Sequence, residues 1–265
     1  MNPPRISASS YSNTAPLIWS FLYGSQHGSV EIVLDNAPAR SAELLAAGRV
    51  DAALVPVIAY QEIDGVRLIP DVCVGARERV RSVCLVTRGC ELEDVRSVSL
   101  DRSSRTSVVL TKVLFREFIG HEPEWKTAEP NISDMLSDSD AALVIGDPAL
   151  RLWRGLGPAA RVYDLAELWH RHTGLGFVFA MWMTRQASSP LDFAAVRNEG
   201  VGHIDEIVSN YLPEIGLSSE EMTAYLTQNV SYTIDGSMQK GLELYFRLAK
   251  KHGLCGSDRA LMYVE

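Results

Sequence analysis

Up to Met183 the chain alternates short, continuous apolar runs with segments whose apolar residues recur at helical spacing. Apolar runs bounded by turn residues read as buried strands, and the periodic segments as helices with one inward face. Strands are expected at Arg5 to Ser9, Glu31 to Leu34, Val50 to Val57 and Ser82 to Val86, with a further apolar run at Arg67 to Val74. A second set follows at Val95 to Leu100, Ala141 to Ile145, Arg161 to Asp164 and Thr173 to Met183. Between them, Leu17 to Tyr23, Pro38 to Ala47, Ser107 to Ile119, Gly146 to Trp153 and Leu165 to His172 read as helices. Pro16 and Pro38 stand at first turns, and Gly24, Gly48 and Gly120 just past helix ends. Strand and helix in alternation predict parallel sheets.

From Ser189 onward the strand pattern stops. Pro190 to Tyr211, Ser218 to Gln228 and Ser237 to His252 read as helices, and Ser218-Ser-Glu-Glu221 has capping-box character. The pattern therefore gives two small α/β units, near 1–86 and 87–183, and a helical tail. Two apolar strands, Ser82 to Val86 and Phe177 to Met183, stand where the chain would cross between units. Two crossings imply hinged lobes with a cleft, the first lobe being discontinuous (1–86 with 184–265) and the second running from 87 to 183. Ligands in such folds bind at the cleft, against strand ends and helix starts.

One strand-to-helix junction carries unusual chemistry. Ser99-Leu-Asp-Arg-Ser-Ser-Arg-Thr-Ser107 sets hydroxyls around Arg102 and Arg105 just before the helix. A helix start offers free N–H groups and the positive end of its dipole. Arg105 adds a fork that fits a carboxylate. The stretch reads as a carboxylate cradle, with a plainer alternative in which Ser104 only caps the helix and the arginines are solvated.

Composition narrows the partners. The 265 residues are 46% hydrophobic and 22% charged, with a net charge of -8 and no long basic patch, so nucleic acid is not an expected partner. No apolar signal region and no membrane-length run occur, so a cytoplasmic location without membrane attachment is expected. Cys73, Cys84, Cys90 and Cys255 lack Cys-x-x-Cys spacing and are expected as free thiols. His170 and His172, at i and i+2 of a helix, point apart and do not make a metal site. Trp153, Trp169 and Trp182 read as core or cleft wall, and Arg77 to Arg81 as a solvated basic face that can steer an anion.

Several motifs, in order, resemble one enzyme family. They are Tyr11-Ser-Asn-Thr-Ala-Pro-Leu17, Asp51-Ala-Ala-Leu-Val-Pro-Val57, Arg81-Ser-Val83, Ser104-Arg-Thr-Ser107 and Leu168-Trp-x-x-x-Thr173-Gly-Leu-Gly-Phe-Val-Phe-Ala180, with Asn229-Val-Ser-Tyr232 in the tail. The chain is similar in these to the chorismate dehydratases of the futalosine route to menaquinone. The resemblance implies a two-lobed type II periplasmic-binding-protein-like fold with two hinge crossings and a helical C-terminal tail. It departs from the family at Gly176, where proline is usual, which is expected to loosen the turn before the second crossing strand.

The implied reaction removes water from chorismate to give 3-[(1-carboxyvinyl)oxy]benzoate. The hydroxyl leaves from C4 and the proton from C3, whose C–H is conjugated through the diene to the ring carboxylate. Such a reaction needs placement of charge rather than a cofactor or metal, and none is expected. The resemblance assigns Asn13 and Ser82 to catalysis. Ser104, Arg105, Thr106 and Ser107 are expected to hold a carboxylate, with Gly146 and Thr173 completing the substrate contacts. The enolpyruvyl carboxylate of the substrate is the expected proton acceptor. Read without the family, Asn13 is equally a helix cap, Ser82 a buried hydroxyl bonded to backbone, and Asp147 an N-cap before Pro148 rather than a general base. The competing functions are a small-carboxylate binding or sensor protein of the same fold and the sister dihydroxynaphthoate synthase. The latter uses a histidine after the strand that matches Ala141 to Ile145, where this chain has Gly146-Asp147. No obligate protein partner is evident.

Overall fold

The computed structural model describes residues 3–157 and 160–265. Among the described residues, ten strands occur in the order β1 Arg5–Ser9, β2 Glu31–Asp35, β3 Ala52–Pro56, β4 Arg67–Ala76, β5 Val83–Thr87, β6 Ser97–Asp101, β7 Glu124–Ala128, β8 Ala141–Ile145, β9 Arg161–Asp164 and β10 Phe177–Thr184. The helices are α1 Trp19–Leu22, α2 Pro38–Ala46, α3 Ala59–Glu62, α4 Thr106–Val113, α5 Ile132–Asp138, α6 Asp147–Gly155, α7 Leu165–Thr173, α8 Phe193–Val201, α9 Ile204–Ile215, α10 Ser219–Ala224 and α11 Gly236–Lys251. Wider π turns extend α4 over Leu114–Ile119 and α10 over Tyr225–Asn229.

The strands form two sheets, ordered β2-β1-β3-β10-β4 and β7-β6-β8-β5-β9. Neither is wholly parallel. β10 runs against β3 and β4, and β5 runs against β8 and β9, while β1, β2 and β3 are mutually parallel, as are β6, β7 and β8. The physical reason is the crossing. Residues 77–82 carry the chain from β4 into the second sheet, and residues 174–176 return it to the first. Each arriving strand enters its new sheet from the opposite end, so it alone is reversed. The sheets accordingly divide the chain one strand away from the expected boundaries: β5 lies in the second sheet and β10 in the first.

Buried side chains hold this arrangement together across the crossings. One core cluster runs from Val55 and Leu68 of the first sheet through Leu85 and Leu143 of the second to Leu242 and Tyr245 of α11. A second packs Ile6, Leu54 and Trp182 against Phe193, Ile207 and Tyr225 of the tail. The tail is thus structural: α8 lies on α1, and α11 on both β10 and α4. The helical stretch expected from Pro190 to Tyr211 breaks at Gly202 and His203 into α8 and α9. The capping box of Ser218 and Glu221 is present.

The first crossing is fixed by Asp164. Its carboxylate accepts from the backbone N–H groups of Ala166 and Glu167, capping α7, and from those of Val80 and Arg81. Burial pushes this carboxyl up, and the four N–H groups pull the other way. Among the described residues, no helix is long and apolar enough to cross a membrane.

Candidate active site

Between the sheets lies a cleft whose empty space, its open mouth included, is about 550 Å³. Its floor comes from Leu54, Val74 and Phe179 of the first sheet, and its opposite wall from Val83, Ile145 and the start of α4. Polar groups enter from two loops, the β1–α1 turn with Tyr11 and Asn13, and the β6–α4 turn with Ser104 to Ser107.

Asn13 is not a cap. The turn after β1 is closed by Thr14, whose hydroxyl donates to the carbonyls of Ser9 (2.6 Å) and Tyr11 (2.8 Å). The short 3-10 helix Ala15–Leu17 that follows has no side-chain cap. The Asn13 amide is therefore released from local duty and borders the cavity, buried.

On the facing wall α4 begins at Thr106, with Arg105 before it and no hydroxyl capping it. The orphan N–H groups of a first helical turn stay free for a guest. Ser104, Arg105, Thr106 and Ser107 all line the cavity. The Thr106 hydroxyl accepts from Ile58 N–H (3.3 Å), and its carbonyl accepts from the Tyr245 hydroxyl (3.0 Å), so the tail helix sets the height of this wall. Arg105 is the charged side chain of the described lining, and it is already engaged: its guanidinium meets Glu62 of α3 at 2.7 Å. Burial pushes the Glu62 carboxyl up, and Arg105 pulls it back down. Glu62 was not legible in the sequence, because its partner lies far along the chain and α3 is too short to show a periodic face.

Ser82 stands behind the wall rather than on it, fully buried. Its carbonyl accepts from Gly146 N–H (2.8 Å), and its hydroxyl has no aligned partner among the described residues. The plainer reading, a hydroxyl bonded to backbone, therefore does not hold. Arg81 before it has φ of 65°, a left-handed conformation that costs a non-glycine residue of order 1–3 kcal/mol. Its carbonyl accepts from Trp153 Nε1–H (2.9 Å), and its guanidinium lies over the Trp153 ring, so this end of the basic run packs instead of facing solvent.

Gly146 borders the cavity with φ of 67°, and a Cβ there would lie 2.9 Å from the Tyr11 ring. Only glycine lets Tyr11 reach across the cleft this closely. Beside it, Asp147 corrects an expectation. It is not the N-cap of α6, which is Gly146. Its carboxylate accepts from the Ser12 N–H (3.2 Å) and hydroxyl (2.5 Å), tying the second lobe to the β1 turn of the first. Burial pushes this carboxyl up.

Thr173 departs from expectation too. It lies outside the cavity lining and closes α7, donating to Trp169 O (2.8 Å) and accepting from Leu175 N–H (3.1 Å). Gly176 does not leave the second crossing loose: its N–H donates to Ser237 Oγ (3.1 Å) and its carbonyl accepts from Trp169 Nε1–H (3.2 Å). His170 meets the Leu175 carbonyl and His172 stacks on Phe118, each engaged separately. Trp169 and Trp182 are core.

A family model described as menaquinone biosynthesis matches residues 4–251. The chain belongs to the menaquinone-biosynthesis family. Among its relatives, a chorismate dehydratase of Thermus thermophilus is 30% identical over 269 aligned positions, covering 92% of this chain and 94% of that one. Solved structures agree on the fold. A structural-genomics protein from Archaeoglobus fulgidus superposes with a TM-score of 0.74 at 15% identity, over 95% of this chain and 98% of that one. The periplasmic aliphatic sulphonate binding protein of Escherichia coli does so with 0.66 at 13%, over 100% and 94%. The family member described here thus has the binding-protein fold that the resemblance implied.

Proposed function

We propose that this protein is a chorismate dehydratase, a carbon–oxygen lyase acting in the cytoplasm on free chorismate. The kinship with the Thermus enzyme carries the reading, and the cavity supports it. Chorismate is a dianion with an apolar ring, and the cavity pairs an apolar floor with a helix start, hydroxyls and Arg105 on one wall and an amide on the other. The α4 start and Arg105 take one carboxylate. Asn13 faces the reacting edge of the ring, where an amide N–H aimed at developing charge stabilises the transition state by about 2.7–4 kcal/mol.

The described lining contains no Asp, Glu or His. The reading therefore assigns the C3 proton to the substrate's own enolpyruvyl carboxylate and gives Glu62 a different task. Glu62 occupies Arg105 until the substrate carboxylate arrives. Glu62→Gln frees that charge, so KM for chorismate falls by about 2- to 5-fold, the size of a half-exposed ion pair, while kcat stays within twofold of wild type. Acidification through the raised range of the Glu62 carboxyl has the same sign in the wild type, because the neutral acid releases Arg105, and no effect in the variant. A collapse of kcat in Glu62→Gln would instead make Glu62 the base.

Steady-state turnover of chorismate by the purified protein, followed as growing aromatic absorbance, tests the function itself. Turnover well above spontaneous decay is expected. Chorismate that raises the melting temperature yet is recovered unchanged would make the protein a binder.

A further inference from the structure

The Asn13 amide rides on a turn that both lobes hold. On its own side, Ser10 N–H donates to Asp35 O (3.0 Å), Ser10 O accepts from the Tyr211 hydroxyl of α9 (3.0 Å), and the Thr14 hydroxyl closes the loop behind Asn13. Ser12, the residue before Asn13, is fully buried, and its N–H and hydroxyl take their partner from the second lobe. Both donate to the Asp147 carboxylate at the start of α6. The surroundings of this contact dock as well. Tyr11 lies against Gly146, Arg151 of α6 donates to Glu214 O of α9 (2.6 Å), and Leu150 joins, fully buried, the core cluster that contains Ile18 and Ile207.

A buried donor left unpaired costs about 1–3 kcal/mol, so this position of Ser12 is stable only with Asp147 in reach. A charged acceptor makes each bond roughly twice as strong as a neutral one. Burial opposes the Asp147 charge and the two Ser12 donors favour it, so each side of the contact holds the other in its present state. We propose that Asp147 is a positioning residue: acting through Ser12, it fixes the turn that carries Asn13, so the amide of the first lobe takes its working place only with the second lobe docked. A reacting group misplaced by about 1 Å costs of order 100-fold in rate. Asp147 lies outside the described cavity lining, so it acts on the turn and not on the substrate. The inference deepens the dehydratase reading and rests on it for its kinetic part.

The test is Asp147→Asn, which keeps the shape and removes the charge. Against chorismate, kcat is expected to fall about 10- to 100-fold, with KM changed less than about threefold. Ser12→Ala removes one of the two donors and should lower kcat by about 3- to 10-fold. In an Asn13→Ala background, Asp147→Asn should change kcat no further, since Asp147 acts through the turn that carries Asn13. A second readout is independent of turnover. Hydrogen exchange of the Ser12 N–H, slow in the wild type, should become about 10-fold faster or more in Asp147→Asn, while exchange in β3, which is paired on both sides, holds. Wild-type kcat in Asp147→Asn, a loss fully additive with Asn13→Ala, or an unchanged Ser12 exchange rate would each overturn the proposal. Should Asp147→Asn not fold, Ser12→Ala decides: the expected fall in kcat supports the proposal and wild-type kcat overturns it. If the wild type itself fails to turn over chorismate, the function reading falls, and the Ser12 exchange rate alone still decides whether Asp147 holds the turn.

Discussion

Asn13→Ala is expected to lower kcat for chorismate by about 10²- to 10³-fold, the loss measured when one transition-state donor is removed elsewhere, and to leave the fold intact. Both halves follow from the turn after β1. The backbone there is closed by Thr14, and the neighbouring 3-10 helix takes no bond from Asn13. Deleting the amide therefore removes no cap, and melting should move by only a few degrees. The chemistry needs it more. Loss of the C3 proton sends charge through the diene into the ring carboxylate, and the leaving oxygen gains charge as well. A donor that acts more strongly on that state than on bound chorismate lowers kcat and kcat/KM equally when removed. Steady-state kinetics with circular dichroism checks this. An Asn13→Ala enzyme with wild-type kcat, or one that is unfolded, contradicts the assignment.

Gly241→Ala is expected to destabilise the protein by about 3 kcal/mol or more, beyond the usual range for an added methyl. A Cβ on Gly241 would stand 2.0 Å from the carbonyl oxygen of Gly176, an atom of the second crossing, itself bonded to Trp169 Nε1–H. Neither side can yield. Gly241 sits on α11, which packs on β10 and α4 and holds the Thr106 carbonyl through Tyr245. Moving α11 outward would move the cradle with it. Gly176 is tight as well, since a Cβ there would be 2.6 Å from Met238 Cγ and 3.0 Å from Ala76 O. For a chain of this length the Gly241→Ala loss corresponds to a fall in melting temperature of about 6–12 °C. A variant that melts with the wild type would show that the helix has room to shift.

What the sequence could and could not show divides along physical lines. Buried strands announce themselves as apolar runs, so β1, β3, β5, β6, β8 and β10 were legible, and with them the two crossings and the cleft. Strand direction was not: the reversal of β5 and β10 depends on which sheet each enters, a non-local fact. β7, Glu-Trp-Lys-Thr-Ala, escaped notice because this edge strand pairs on one side and carries mostly polar residues. Asn13, Arg105 and Gly146 sit in punctuated turns, where capping and turn residues advertise themselves, and they do line the cavity. Thr173 shares such a turn and does not. Asp147 looked like a cap because Asp before Pro fits one locally, whereas its partner Ser12 is remote in sequence.

The most direct measurement is a mass-resolved time course of chorismate deuterated at C3, incubated with the purified protein. The account predicts an aromatic product that has lost the C4 oxygen as water and carries no deuterium on the ring. Chorismate recovered intact from protein that binds it, or a product that keeps the ring deuterium, would contradict the account.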